Sequence, residues 1–178
     1  GPFDVSIEPT ENYSSWQNLL SAHPDADMMV GLCATDMPNL TRLRENTGAE
    51  FIAGGYDLEP AALEGISLGF GEVTIDQNPY LQGYLPMLAL YRNITEGVEL
   101  PEGWIDVGVE VVTAENVEEL IAREDSLELT REFYASIIEE EYSDLSEVAQ
   151  PYPGLGDEDA DDEAVEEPEA TEEAESSD

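Results

Sequence analysis

Three apolar segments of this chain each end in a polar side chain that can hydrogen-bond a ligand. Asp36, Asp57 and Gln77 stand at these ends, and a helical stretch follows each of them. Strands that alternate with helices indicate a parallel sheet, whose carboxyl ends lie at one edge. Ligands of such sheets bind outside that edge. The sequence therefore predicts that two carboxylates and an amide face one crevice.

Asp57 and Gln77 offer the chemistry needed to hold an uncharged polyol. Hydroxyl groups donate and accept hydrogen bonds, and carboxylates and amides satisfy both roles. Hydrogen bonds to charged groups contribute about 1.5–3 kcal/mol each. A simpler interpretation of Asp36 and Asp57 stays open, since an aspartate ahead of a helix can serve only as its N-cap. The acids have no identifiable proton-transfer partner, so the pattern favours binding without catalysis.

The elements that must position these residues follow from hydrophobic periodicity. In the best-defined segment, a β-branched strand stops at Asn78-Pro79 and an apolar helical face follows. The predicted strands cover residues 3–8, 28–34, 51–56, 73–77 and 104–113. The predicted helices cover residues 13–22, 37–46, 60–68, 79–93, 113–123 and 127–142. This order predicts an α/β fold with a doubly wound parallel sheet.

Acidic residues dominate the chain and limit its partners. Its 178 residues carry 43 Asp and Glu against five arginines and no lysine, and the formal net charge is −38. This composition resembles that of haloarchaeal proteins working in molar salt, which screens self-repulsion. Nucleic acid and anionic membranes are poor partners, because both bind lysine and arginine.

The distribution of apolar residues divides the chain into three parts. Residues 1–125 hold the alternating strands and helices and are predicted to form one domain, to which residues 126–142 add a helix. Pro, Gly, Asp and Glu dominate thereafter, so residues 143–178 are predicted to be a disordered acidic tail. No stretch approaches transmembrane length.

The single cysteine and the single histidine do not indicate a reactive site. Cys33 lies inside an apolar strand segment and is predicted to be a buried packing thiol. One cysteine also excludes an internal disulfide and a cysteine-based zinc site. His23 lies between a helix and a strand, with no nucleophile near it in the pattern. We therefore expect no metal, no cofactor and no catalytic residue.

Five short segments together carry a resemblance to a known family. They are LLSAHPDAD at 19–27, ATD at 34–36, GGYD at 54–57, TIDQNPYLQG at 74–83 and GVEVVTAENV at 108–117. In order and spacing they resemble the second lobe of type I periplasmic sugar-binding proteins, the ribose-binding class of ABC-transporter receptors. The resemblance implies one Rossmann-like lobe of a protein that binds a monosaccharide by closing two lobes on it, with no chemical change.

The resemblance assigns ligand contacts to five residues. The positions matching Asp57 and Gln77 bind sugar hydroxyls in this family, and the second also lies by the hinge. Thr35 and Asp36 match a family Asn-Asp pair, with threonine in place of the asparagine. Tyr13 is the nearest candidate for an aromatic residue that stacks on the sugar ring.

The resemblance also implies that this is an incomplete C-terminal lobe. The family's first strand of the lobe lies between the strands matching residues 3–8 and 28–34, and this sequence lacks it. The helix at 79–93 packs on the absent N-terminal lobe in the family, so Leu81, Leu85 and Leu88 are expected to be exposed here. We expect the chain alone to be unstable, or to fold only with a partner or a rearranged edge.

Such a receptor delivers its sugar to the permease subunits of an ABC importer, which implies an extracellular or cell-surface location. The alternative is the ligand-sensing core of a LacI-type transcriptional regulator, which shares the fold and would need a basic helix-turn-helix headpiece. The sequence does not identify the sugar, because several specificity contacts belong to the other lobe.

Overall fold

A four-stranded sheet forms the centre of the protein in the computed structural model, which describes residues 2–152. The strands are β1 (Met28–Val30), β2 (Ile52–Tyr56), β3 (Val73–Asp76) and β4 (Glu110–Val112). They lie in the order β1-β2-β3-β4, and the first three are parallel. The predicted α/β class is confirmed.

The last strand differs from the prediction in length and direction. β4 covers three residues of the expected strand 104–113 and runs antiparallel to β3, with Glu110 opposite Asp76. The chain leaves β3 at its carboxyl end, and after one helix it re-enters the sheet beside that same end. A parallel β4 would require the connection to return to the amino end of the sheet. This connection does not do so, and β4 therefore runs antiparallel to β3.

The described residues also form seven helices. They are α1 (Pro9–Ala22), α2 (Asp36–Thr47), α3 (Pro60–Ser67), α4 (Pro79–Glu96), α5 (Val117–Glu124), α6 (Leu127–Glu141) and α7 (Leu145–Val148). Proline stands at the first helical position of α1, α3 and α4, where its missing N–H costs nothing. No helix between residues 2 and 152 is long and apolar enough to cross a bilayer.

The predicted strand at 3–8 is wrong. These residues have no regular structure, and α1 begins at Pro9, ahead of its predicted start at residue 13. The Glu8 side chain accepts hydrogen bonds from the N–H groups of Thr10 and Glu11 and so acts as the N-cap. Residues 3–8 have no neighbouring strand, and an isolated strand cannot satisfy its own backbone.

The main core lies on one face of the sheet. α1, α2, α3 and α5 cover this face. Its buried side chains include Trp16, Met37, Leu40, Leu43, Phe51, Leu63, Ile66, Val112 and Leu120. Gly55 permits the close approach of α2, because a Cβ atom there would lie 2.7 Å from that of Met37.

The opposite face of the sheet is bare within residues 2–152. Met28, Val30, Ile52 and Val111 are all exposed on it. Beside β1 lies a groove of about 380 Å³, lined in part by Phe3 and Val5. The backbone groups of Asp27 and Gly31 bond to β2, so those of Met28 and Val30 face away from the sheet. The predicted doubly wound arrangement is therefore wrong for residues 2–152, because helices cover one face of this sheet only.

A second apolar cluster joins α4 to α6 and α7. Leu81 and Leu85 are 1% and 2% exposed and pack with Tyr134, Tyr142 and Leu145. The expectation that Leu81 and Leu85 are exposed is wrong, and Leu88 is half-buried. α6 and α7 supply the covering surface that the prediction assigned to an absent lobe. The exposed apolar residues of α4 are instead Tyr84, Met87, Leu90, Tyr91 and Ile94.

The predicted start of the disordered tail at residue 143 is wrong. α7 lies at 145–148, and Gln150 pairs with Trp104 in a two-residue bridge. The Trp104 N–H donates to the Gln150 carbonyl at 2.9 Å, and the reciprocal bond measures 2.8 Å. Disorder is therefore the wrong prediction for residues 143–152, and the remaining residues of the predicted tail, 153–178, lie outside the described residues.

Two adjacent valines of β4 test the one-sided core. Val112 is 0% exposed and Val111 is 54% exposed. We expect Val112→Ala to lower the free energy of unfolding by about 2 kcal/mol, because it removes buried methyl groups, and Val111→Ala to change it by less than about 0.5 kcal/mol. Urea denaturation measures both. Equal losses would show that the second face is also covered.

Candidate functional site

Asp57 and Gln77 meet at the carboxyl edge of the sheet. Asp57 follows β2 and Gln77 follows β3, and the two strands are parallel neighbours. The Gln77 amide Nε2 donates a hydrogen bond to Asp57 Oδ1 at 3.1 Å. Asp57 is half-buried and Gln77 is exposed, so solvent reaches both. The predicted meeting of Asp57 with Gln77 is confirmed, and contact with a sugar stays a prediction. The expectation that Asp36 faces the same open crevice is wrong, because Asp36 is buried.

The backbone of Asp57 is held in an uncommon conformation. Its φ is 70°, in the left-handed region that few residues other than glycine adopt. The Asp57 N–H donates to the Ile75 carbonyl at 2.8 Å, and the Asp57 carbonyl accepts from Thr74 Oγ1 at 2.9 Å. Asp57 caps no helix, because Glu59 occupies the N-cap position of α3. The simpler N-cap interpretation therefore does not explain this residue.

The turn after Gln77 is equally constrained. Asn78 has a φ of 53°, and its Nδ2 donates to the Val107 carbonyl at 2.9 Å. The Gln77 carbonyl accepts from Gln82 Nε2 at 2.6 Å. Asp57 and Asn78 are the two non-glycine residues with positive φ between residues 2 and 152. Backbone strain of this kind concentrates at functional sites, and here one instance is Asp57 itself and the other is Asn78, the residue after Gln77.

Asp36 lies at the same edge, but its carboxylate is occupied by the protein. The residue is 2% exposed. Its Oδ1 accepts from Asn12 Nδ2 at 2.6 Å and from Trp16 Nε1 at 3.0 Å, and its Oδ2 accepts from the Cys33 N–H at 2.9 Å. Gly31 must lack a side chain, because a Cβ atom there would lie 2.0 Å from that of Asp36. Asp36 thus ties α1 to the turn after β1, and its predicted sugar contact is untested.

Thr35 and Tyr13 make no hydrogen bond with Asp57 or Gln77 among residues 2–152. The Thr35 hydroxyl is buried and has no hydrogen-bond partner among residues 2–152. The Tyr13 ring lies under Arg42, whose Cζ is 4.8 Å from the ring centroid, and its hydroxyl accepts from Asn46. Asn46 is ten residues into α2, about 15 Å along the helix from the sheet edge. Ligand contact by these two residues stays a prediction that this arrangement does not support.

The prediction that Cys33 is buried is wrong. β1 ends at Val30, and Cys33 lies exposed in the turn that follows. The turn forms because Gly31 and the Asp36 carboxylate draw the chain back toward α2. An apolar run of seven residues indicated a longer strand, but only its first three residues have a strand neighbour.

Sequence reasoning missed three residues that support this edge. They are Asn12 and Trp16, which donate hydrogen bonds to Asp36, and Asp76, which precedes Gln77. Asp76 is 2% exposed. The alternation of side chains along β3 predicts this burial, because Asp76 lies on the same face of the strand as Thr74, which is 0% exposed.

Burial controls the ionisation of Asp76. Removal from water raises the pKa of its carboxyl, while the hydrogen bond from the Asn78 N–H and the charge of Arg123 oppose this shift to a smaller extent. Tyr134 packs nearby, and its own burial raises the pKa of the phenol to about 12, so it is neutral and uncharged at physiological pH. The carboxyl end of β3 therefore carries a desolvated acid close to the exposed Gln77.

Substitution of two asparagines of α1 tests whether the hydrogen bonds of Asp36 anchor this helix. Asn12 is 0% exposed, whereas Asn18 is exposed. We expect Asn12→Ala to lower the free energy of unfolding by about 2–3 kcal/mol, because it leaves a buried carboxylate short of a donor. Asn18→Ala should change it by less than about 0.5 kcal/mol. Chemical denaturation compares the two, and a small effect of Asn12→Ala would contradict the anchor.

Asp76 makes a specific contribution to the pH dependence of stability. Its pKa is higher in the folded protein than in the unfolded chain, so its stabilisation is full below the ordinary value of 3.8. That stabilisation is lost as pH rises through the raised folded value. Asp76→Asn removes the titration, so the stability of the variant relative to wild type should increase between about pH 3 and pH 7.

Urea denaturation across this range provides the measurement. Asp25→Asn, at an exposed position in the turn after α1, controls for the loss of one negative charge. Parallel pH profiles for the two variants would contradict a desolvated Asp76 carboxyl.

Comparison with known proteins places this edge in context. No protein-family model matches the chain. The curated xylose/arabinose-binding protein XylF of Sulfolobus acidocaldarius is 34% identical over 116 residues, which cover 61% of this chain and 29% of the relative. The chain therefore spans less than a third of that protein's length.

Solved structures show a similar fold. A solute-binding protein of an ABC transporter from Burkholderia graminis, in complex with D-arabinose, matches with a TM-score of 0.56 and 25% identity. The match covers 61% of this chain and 39% of that one. A putative LacI transcriptional regulator from Bacteroides fragilis matches with a TM-score of 0.55 and 18% identity over 61% of this chain and 38% of its own, which shows the fold alone.

Proposed function

We propose that this chain, which is related in sequence and fold to the type I periplasmic sugar-binding proteins, forms part of the solute receptor of an ABC importer. The ligand is a monosaccharide or a similar polyol, held at the carboxyl edge of the sheet. The observation that carries this proposal is the hydrogen-bonded Asp57–Gln77 pair, exposed where two parallel strands end.

The chemistry of the pair suits adjacent hydroxyl groups. The Asp57 carboxylate only accepts hydrogen bonds, whereas the Gln77 amide both donates and accepts. A sugar hydroxyl can donate to Asp57 and another can bond to the amide of Gln77, in place of their mutual bond. Both backbones are already fixed, so little conformational entropy is lost on binding. Binding is proposed to involve no chemical change to the sugar.

One edge of one sheet cannot enclose a sugar, so the proposal includes a second lobe. The bare sheet face with Met28 and Ile52 supports it, as does the groove beside the unpaired edge of β1. We propose that another part of the protein covers these surfaces and supplies the opposite wall of the crevice. Closure of two such lobes on a ligand is a hinge motion.

The proposed location and partners follow from the receptor role. The protein is placed outside the cell or at its surface, where it passes the sugar to the permease subunits of the importer. Haloarchaeal origin is part of the proposal and is supported only by the acidic composition, with a net charge of −38.

The alternative is the ligand-sensing core of a transcriptional regulator. The regulator-like structure of the same fold favours it. Such a protein would use the same edge for its effector and would need a separate basic headpiece, because this acidic chain does not attract DNA. A helix-turn-helix region elsewhere in the gene would establish the alternative over the importer.

The binding site is tested with the full-length product of the gene in molar KCl. D-xylose, D-arabinose and D-glucose are screened by thermal shift, with L-leucine as the ligand of a different class. Binding to the folded state should raise the unfolding midpoint by mass action. A shift with leucine and none with any sugar would overturn the sugar assignment.

Isosteric variants then test the two residues. Asp57→Asn tolerates the positive φ but removes the charge, and Gln77→Met keeps the shape but removes the amide. Each should weaken binding of the active sugar by about tenfold to a hundredfold, because one polar contact is lost. Asp25→Asn is the matched control and should leave the affinity unchanged. Full affinity in both Asp57→Asn and Gln77→Met would exclude this edge as the site.

A further inference from the structure

Asp76 and Glu110 bring two carboxylates face to face beside Gln77. They are register partners in the antiparallel pairing of β3 with β4. Asp76 is buried and Glu110 is half-buried. Like charges directly opposite each other on neighbouring strands destabilise their pairing. The end of the sheet that carries the candidate site therefore requires a positive charge.

Arg123 of α5 supplies that charge. Its Nη1 donates to Glu110 Oε2 at 2.8 Å, and its Nη2 lies 3.5 Å from Asp76 Oδ2. Its Nε donates to Glu124 Oε1 at 2.9 Å, and its Cζ lies 4.3 Å from the centroid of the Phe133 ring. The side chain is 8% exposed, so solvent screens these interactions weakly. One cation thus holds together β3, β4, α5 and α6.

Asp76 connects this cation to the turn around Gln77. Its Oδ1 accepts a hydrogen bond from the Asn78 N–H at 3.0 Å. Asn78 is fixed in turn by its bond to the Val107 carbonyl. Gln77 therefore lies between two anchored residues, and its amide reaches Asp57. Arg123 itself makes no hydrogen bond or ion pair with Asp57 or Gln77 within residues 2–152, so its effect on them is indirect.

We propose that Arg123 is a positioning residue for the sugar-binding edge. It holds Asp76, and through Asp76 it holds the turn that directs the Gln77 amide at Asp57. The consequence for sugar binding rests on the proposed function. The orientation of Gln77 does not, because it can be measured in the absence of any ligand.

The ion pair between Asp76 and Arg123 is longer than a hydrogen bond. Asp76 Oδ2 and Arg123 Nη2 are buried, face each other at 3.5 Å, and have no hydrogen-bond partner among residues 2–152. Charge-assisted N–H···O bonds measure about 2.7–2.9 Å. Arg123 therefore holds Asp76 by its charge and not by a hydrogen bond. Lysine would keep the charge but not the planar group that reaches three carboxylates at once.

The orientation of Gln77 is measured first, by NMR of its side-chain amide in the 178-residue chain. Arg123→Gln removes the cation, and Asp76→Ala cuts its connection to the turn. Both should move the Gln77 amide signals toward those of a solvent-exposed glutamine, and Arg123→Lys should do so in part. Arg44→Gln is the matched control, because Arg44 forms a comparable ion pair with Glu72 at the start of β3.

The control separates positioning from general stability. Arg44→Gln should leave the Gln77 signals in place, although it also removes a partly buried ion pair. If Arg123→Gln fails to fold, Asp76→Ala decides the question. Unmoved Gln77 signals in Asp76→Ala would overturn the proposal, as would an equal shift in Arg44→Gln.

Sugar affinity is measured second, by calorimetry on the full-length gene product with D-arabinose and D-xylose. Arg123→Gln and Asp76→Ala should weaken binding by about tenfold, and Arg44→Gln should not. If wild type binds neither sugar while the Gln77 signals move, the proposed function fails and the positioning role stands. If wild type binds a sugar and the Gln77 signals do not move, only the positioning role is lost.

Discussion

The structure depends on how a protein with 43 acidic residues takes two carboxylates out of water. Burying a charge is costly unless hydrogen bonds and counter-charges replace its hydration. Asp36 and Asp76 are each 2% exposed, and the chain solves the problem differently for the two. Asp36 receives three hydrogen bonds from neutral donors, whereas Asp76 relies on one backbone N–H and on Arg123.

These two acids stand on either side of the candidate site. Asp36 follows β1, Asp76 ends β3, and Asp57 follows β2 between them. Asp36 links the end of β1 to α1, and Asp76 links the end of β3 to α5. The end of β2, which lies between them, therefore has fixed neighbours on both sides. Asp57 and Gln77 are not part of either apolar cluster, and their polar groups are accessible to solvent. Binding residues supported by rigid elements lose less entropy when a ligand arrives.

The charge of the protein suits an uncharged ligand. A net charge of −38 repels anionic solutes and leaves a neutral sugar unaffected, so in the proposed receptor selection among polyols would come from hydrogen-bond geometry. The one-sided sheet sets a second limit. Its second face and its β1 edge are uncovered within residues 2–152, and at its carboxyl edge Asp57 and Gln77 are open to solvent. In the proposed receptor, this chain would supply one side of the binding crevice, and the contacts that support Asp57 and Gln77 are present within it.

The sequence by itself determined the alternation of strands and helices and the meeting of Asp57 with Gln77. Proline, glycine and apolar periodicity act locally, and parallel strands joined by helices must end at a common edge. Only the tertiary structure decided the direction of β4, the loss of the strand at 3–8 and the burial of Leu81. Each of these depends on which neighbour is present, because a strand needs a paired edge and an apolar side chain needs a covering surface. A local pattern carries no information about either.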